Sequence, residues 1–102
     1  MTGPAADEFT TSVRKLVGQV SHWTPSRWAA SSRGAVMHDL IQRLADRTAD
    51  AEAEPHREVP RLANDLALSD QLRVIAADAV SAGVADETAV AWVSATRQSL
   101  FS

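Results

Sequence analysis

Chemistry needs polar side chains of the right type at the right spacing, and this chain offers few such sets. Its three histidines, His22, His38 and His56, include no pair three or four residues apart. No helix can therefore present the paired imidazoles of a zinc site or an HExxH face. Cysteine is absent, which removes thiolate ligands, a cysteine nucleophile and any disulfide framework. None of the ten serines sits in a G-x-S-x-G turn. Gly18, Gly34 and Gly83 stand alone, so no glycine-rich loop is present to cradle a phosphate.

The acids come closer to a site. Asp46 and Asp50 share a helical face, and Glu54 follows one turn on. Oxygen ligands of this kind suit magnesium. Such centres gather several convergent acids, however, and here Arg43 and Arg47 interleave with them and no Glu-x-x-Glu occurs. A solvated mixed-charge face is the better reading. The expectation is no catalytic residue, no cofactor and no metal. An enzyme or small-ligand binder using Asp46, Asp50 and an acid from a distant helix ranks third.

The segment HWTPSRWAASSRG, His22 to Gly34, is the most conspicuous candidate for binding. It holds two of the three tryptophans and two arginines, and no acid. Trp and Arg are the types most enriched at binding hot spots. Trp23 ends an apolar helical stripe and reads as core. Trp28 lies off the main apolar line, either as a lid folded over the bundle end or as an exposed indole between Arg27 and Arg33. The lid carries more weight, since tryptophans are mostly buried. The candidate partner-binding set is Arg27, Trp28 and Arg33, flanked by Arg14 and Lys15.

AVSAGVADETAVAW, Ala79 to Trp92, resembles a helix-turn-helix core. An alanine stands four residues before the central glycine, Val84 follows it, and Trp92 comes nine residues later. Asp78 occupies a position where an apolar residue is usual. The second helix opens with Asp86 and Glu87 and offers only Arg97 late, so its leading end would repel a phosphate backbone. The segment reads as a helical hairpin within the core.

The formal charge of −3 hides an asymmetry. From Phe9 to His38 there is no Asp or Glu, yet Arg14, Lys15, Arg27 and Arg33 are present; from Glu52 onward eight acids face four arginines. The basic span would favour an acidic protein surface. No polybasic tract points to a membrane or nucleic acid. Nineteen alanines and nine arginines against one lysine suggest a GC-rich bacterial genome. The start, MTGPAADEFT, lacks the pattern of a secretory leader, and no apolar run approaches the roughly 20 residues a bilayer requires. The expected location is the cytoplasm.

The elements that would position these residues are helical. Phe9, Val13, Leu16, Val17, Val20 and Trp23 define one face of a helix from Asp7 to Trp23, after a loose tail at residues 1–6. Thr24-Pro25 restarts a short helix to Ala30. A long helix to Ala53 follows, with Val36, Met37, Leu40, Ile41, Leu44 and Thr48 inward. EPHREVP, Glu54 to Pro60, is a loop, and Pro60 opens a helical turn through Leu62 and Leu66. Ser69 caps a third main helix with Leu72, Ile75, Ala76, Ala79 and, at its edge, Val80 inward, stopped by Gly83. Asp86 caps the fourth, striped by Ala89, Trp92, Val93, Thr96 and Leu100. Phe101 either docks on the bundle or is covered in a symmetric dimer through this helix.

The sequence thus predicts an all-α fold, a small four-helix bundle with one or two additional short helices, residues 7–102 forming one domain. The leading functional expectation is a non-enzymatic protein-protein interaction module, an adaptor or regulatory subunit with an acidic partner. The alternative is a nucleic-acid-associated regulator built on the C-terminal hairpin.

Overall fold

The computed structural model describes residues 3–101 and is all-α, with no strand among the described residues. Five α-helices are formed: α1 (Pro4–Val20), α2 (Pro25–Ala29), α3 (Arg33–Ala51), α4 (Leu68–Ser81) and α5 (Glu87–Phe101). Four are long, and α2 is the short extra helix. No helix among the described residues is long and apolar enough to cross a membrane.

α1 starts three residues before Asp7, so the tail expected at residues 1–6 is helical from Pro4; residues 1 and 2 lie outside the described part. Proline is at home there, because the first helical position needs no N–H partner and fits its fixed φ. α1 ends at Val20, not Trp23. Ser21 closes the helix and Trp23 donates its backbone N–H to the Val20 carbonyl at 3.0 Å. Thr24 caps α2 as expected, its Oγ1 accepting from the Arg27 N–H at 3.2 Å. Ser31 and Ser32 both take left-handed backbone (φ 53° and 57°), which breaks the chain between α2 and α3.

α3 and α4 end in the same way. After α4, Gly83 has φ 76°, with Gly83 N–H bonded to Val80 O and Val84 N–H to Ala79 O. After α3, Ala53 has φ 55°, with Ala53 N–H bonded to Asp50 O and Glu54 N–H to Ala49 O. Both are Schellman closures, which satisfy carbonyls that a helix end leaves free. Only the first carries the glycine that such a bend favours.

The connection from α3 to α4 is a strap tied to both helices. Gln42 grips it in both directions, donating to Arg57 O at 3.0 Å and accepting from Val59 N at 2.8 Å. His38 Nε2 lies 2.8 Å from Val59 O and so carries the proton it donates. Gln71 on α4 donates to Pro60 O. The turn expected to open at Pro60 forms later, at Asp65–Ala67, capped by Asn64. α4 accordingly begins at Leu68. Ser69, expected as its cap, lies inside the helix and is buried, while Leu68 joins the core.

The buried residues form one cluster centred on Phe9, Leu16, Leu40, Ile41, Leu44, Leu72 and Leu100. Ile75 and Trp92 pack against it only in part. α1 packs on α4 and α5, and α3 packs on α4 and α5, so the four long helices form a ring in the order α1–α4–α3–α5. The hairpin expected of α4 and α5 is therefore corrected. Although only residues 82–86 separate them, their principal partners are α1 and α3. The Gly83 bend sends α5 across the bundle. Asp86 then meets Arg47 of α3, with both carboxylate oxygens bonded at 2.6 and 2.5 Å.

Candidate functional site

The corner from His22 to Gly34 is built around two indoles packed edge to face. Trp28 is 1% exposed and Trp23 5% exposed. Their rings meet edge to face with centroids 4.8 Å apart, and Phe101 meets Trp23 in the same manner at 5.3 Å. The alternative of Trp28 as an exposed indole is thus corrected: it closes the end of the core, as the lid does. α2 is held short and folded back by its Thr24 cap and the two left-handed serines, which carries Trp28 inward.

Arg27 and Arg33 cover this aromatic group from outside. Their guanidinium carbons lie 4.7 and 5.4 Å from the Trp23 ring centroid, and Arg33 also donates to the Arg27 carbonyl. They act first as cation–π covers of the core end, each worth about 0.5–1 kcal/mol where water reaches it. Phe101 packs on Trp23 and is still 44% exposed.

A ring of four helices has four outer seams, and they differ in chemistry. The α3–α5 seam is roofed by charge, with the guanidinium carbons of Arg43 and Arg47 both 5.5 Å from the Trp92 ring centroid. The Asp86 carboxylate holds the Arg47 guanidinium above its ordinary value. The Asp86 carboxyl is in turn held below the usual range by that pair, and further by backbone N–H groups at Ala89 and Thr88. Asp86 is thus engaged at the start of α5 and is not free to meet a ligand.

The α1–α5 seam is polar, lined by Gln19, Ser94, Arg97 and Gln98 beside Phe101. The α3–α4 seam is crossed by the strap. His56 from the strap reaches Asp50 at 2.6 Å and Asp46 at 3.7 Å on α3. That hydrogen bond, then the charge of both acids, raises the imidazole above its ordinary value. The two acids considered for magnesium are therefore engaged by His56 and, at Asp46, by Gln42. Among the described residues no group of three acids or histidines could hold a metal ion.

The α1–α4 seam is open and apolar. Its floor is Val13, Val17, Ala76 and Val80, and its volume is about 420 Å³. Arg14 on α1 and Arg73 on α4 stand on its two sides. Arg73 pairs with Asp70 at 3.0 Å, a mostly solvent-exposed pair of small strength. The groove exists because its lining is small: Gly18 presents no side chain, and Ala76 and Ala77 present one carbon each. Around Gly18 nothing lies within 4 Å of where a Cβ would stand.

The five residues singled out in the sequence thus divide. Trp28 is core; Arg27 and Arg33 cover Trp23; Arg14 lines the groove; Lys15 is exposed on α1 and does not line it. Arg73 and Ala77, three residues before Ala76 and Val80 respectively, carry no mark in the sequence reading, where Ala76 and Val80 stand only as core-facing residues. The signal that could have found them is the second, small-residue face of α4, beside the core face of Leu68, Leu72, Ala76 and Ala79.

Compared with protein-family models, with curated proteins and with solved structures, the chain gives no match.

Proposed function

We propose that this protein is a non-enzymatic interaction module that receives an acidic, amphipathic helix of a partner protein in the α1–α4 groove. One observation carries the reading: the α1–α4 groove has an apolar floor and an arginine on each side. The α1 side of the groove runs from Thr10 to Gly18. At 1.5 Å per residue that is about 12 Å, room for roughly two turns of a docked helix. Apolar side chains at i, i+3, i+4 and i+7 would meet Val13, Val17, Ala76 and Val80. Acids beside them would meet Arg14 and Arg73, which orient the partner and speed encounter more than they add affinity. Lys15, Arg27 and Arg33 belong to the same acid-free span of the sequence. The setting in this reading is a reducing bacterial cytoplasm, in keeping with a cysteine-free chain rich in alanine and arginine.

A display selection of helical peptides against the folded protein tests it. Selected peptides should carry an apolar stripe flanked by Asp or Glu. Charge reversal by Arg14→Glu with Arg73→Glu should weaken them about tenfold, ~1.4 kcal/mol. Selection of neutral or basic peptides indifferent to that reversal would sink the proposal.

A further inference from the structure

Gly18 is the one glycine of this chain for which the fold gives no reason. Gly83 needs its left-handed φ of 76°, and Gly3 precedes α1 as its N-cap residue. At Gly34 a Cβ would stand 2.5 Å from an Arg61 guanidinium nitrogen and 2.6 Å from an Asp65 carboxylate oxygen, so a side chain there would displace that ion pair. Gly18 lies inside α1, without left-handed backbone, and nothing lies within 4 Å of where its Cβ would stand. An alanine would fit, and the chain uses nineteen of them. Glycine is less favourable than alanine in a helix, because it gives up more backbone freedom on folding.

A residue that weakens its helix without serving the fold marks a place where local preference yields to function. Here that place is the rim of the α1–α4 groove. Thr10, Arg14 and Gly18 follow at steps of four along α1 and are exposed, beside the buried Val13 and Val17 of the floor. Thr10 and Arg14 raise the rim with side chains. Gly18 lines the groove with backbone alone, which permits close approach by a ligand. Arg14, one turn before it, makes no ion pair within the protein.

We infer that Gly18 is the specificity-determining position of the groove, the gap that admits one bulky apolar side chain, of leucine or phenylalanine size, from the docked helix. The inference rests on the reading of the α1–α4 groove as a helix-docking site. The bulky side chain passes the open rim at Gly18 and reaches the apolar floor at Val17. Any side chain at position 18 would occupy that passage and hold the two helices apart. The acid that meets Arg14 then lies about one turn from the bulky residue on the partner helix. The recognised partner is therefore a helix with a large apolar residue and an Asp or Glu three or four positions away.

The test sets stability against affinity in one variant. Gly18→Ala should raise the melting temperature of the free protein and weaken the helical peptides selected on the wild type about tenfold. Replacing the peptide's bulky residue by alanine should weaken binding to the wild type and cost Gly18→Ala far less, so that the two changes couple in a double-mutant cycle. A lower melting temperature in Gly18→Ala would overturn the inference by showing that the fold itself needs the glycine. Wild-type affinity in Gly18→Ala, or additive effects in the cycle, would overturn it and leave the docking reading standing. Selected peptides that leave the Val13 and Val17 amides of the ¹⁵N-labelled wild type unshifted would overturn both.

Discussion

Arg47 on α3 and Asp86 at the head of α5 form a two-point guanidinium–carboxylate pair, and the same carboxylate caps α5 by accepting the Ala89 N–H at 3.1 Å. One side chain thus fixes where α5 begins and which helix it meets. Asp86→Asn keeps a capping oxygen and loses the charge pair, while Asp86→Ala loses both. The side chains are 28% and 47% exposed, so the pair itself is worth no more than about 1 kcal/mol, and the cap adds about 1 kcal/mol. Chemical denaturation should therefore rank the loss as Asp86→Ala above Asp86→Asn. Because the folded Asp86 value is lowered, its contribution is present above its ordinary value of 3.8 and fades as pH falls through the folded one.

The aromatic corner is structural in its centre. Trp28→Ala removes a fully buried indole and should cost about 3–5 kcal/mol. Arg27→Ala and Arg33→Ala remove only cation–π covers and should each cost under about 1 kcal/mol. Urea unfolding of the three variants checks this order. A Trp28→Ala variant as stable as Arg27→Ala would place the indole outside the core.

The paired helix ends make a matched experiment. Ala53→Gly relieves a left-handed alanine and should stabilise the fold by up to about 1 kcal/mol. Gly83→Ala creates the same strain and should destabilise it by a similar amount, roughly 1 kcal/mol. No atom lies within 4 Å of a Cβ at Gly83, so the cost there is one of backbone angle and not of space. Thermal melts that move both variants in the same direction would contradict the shared geometry.

His56 makes the strap pH-sensitive. Its folded value is raised, chiefly by the hydrogen bond to Asp50. The clamp is fully present below the ordinary value of 6.5 and is lost as pH rises through the raised one. Hydrogen exchange at strap amides, after correction for intrinsic rates, should become faster relative to the core above that point. His56→Gln should abolish the pH dependence.

Much of this fold is legible in residue spacing. The apolar steps of three and four from Phe9 to Val20 and from Met37 to Thr48 define α1 and α3, and Thr24-Pro25, Gly83 and Asp86 mark boundaries that the chain uses. The helix partners are not legible. With so many alanines, several faces of each helix can pack, and the head of α5 is tied to α3 by an ion pair that no local pattern announces. Ala53 is hidden because its left-handed bend carries no glycine to advertise it. The groove is hidden for a related reason: it is made by what Gly18, Ala76 and Ala77 lack. At Trp28 the sequence admitted both sides, and the fold-back of α2 decided between them.

The most direct test of the docking reading is amide shift mapping of the ¹⁵N-labelled protein with a selected acidic amphipathic peptide, beside Ala77→Trp, which fills the groove from an exposed position. The account predicts shifts concentrated at Val13, Val17, Ala76 and Val80, and loss of binding in Ala77→Trp with the fold intact. Shifts centred on Arg27, Arg33 and Phe101, with Ala77→Trp binding like wild type, would contradict it.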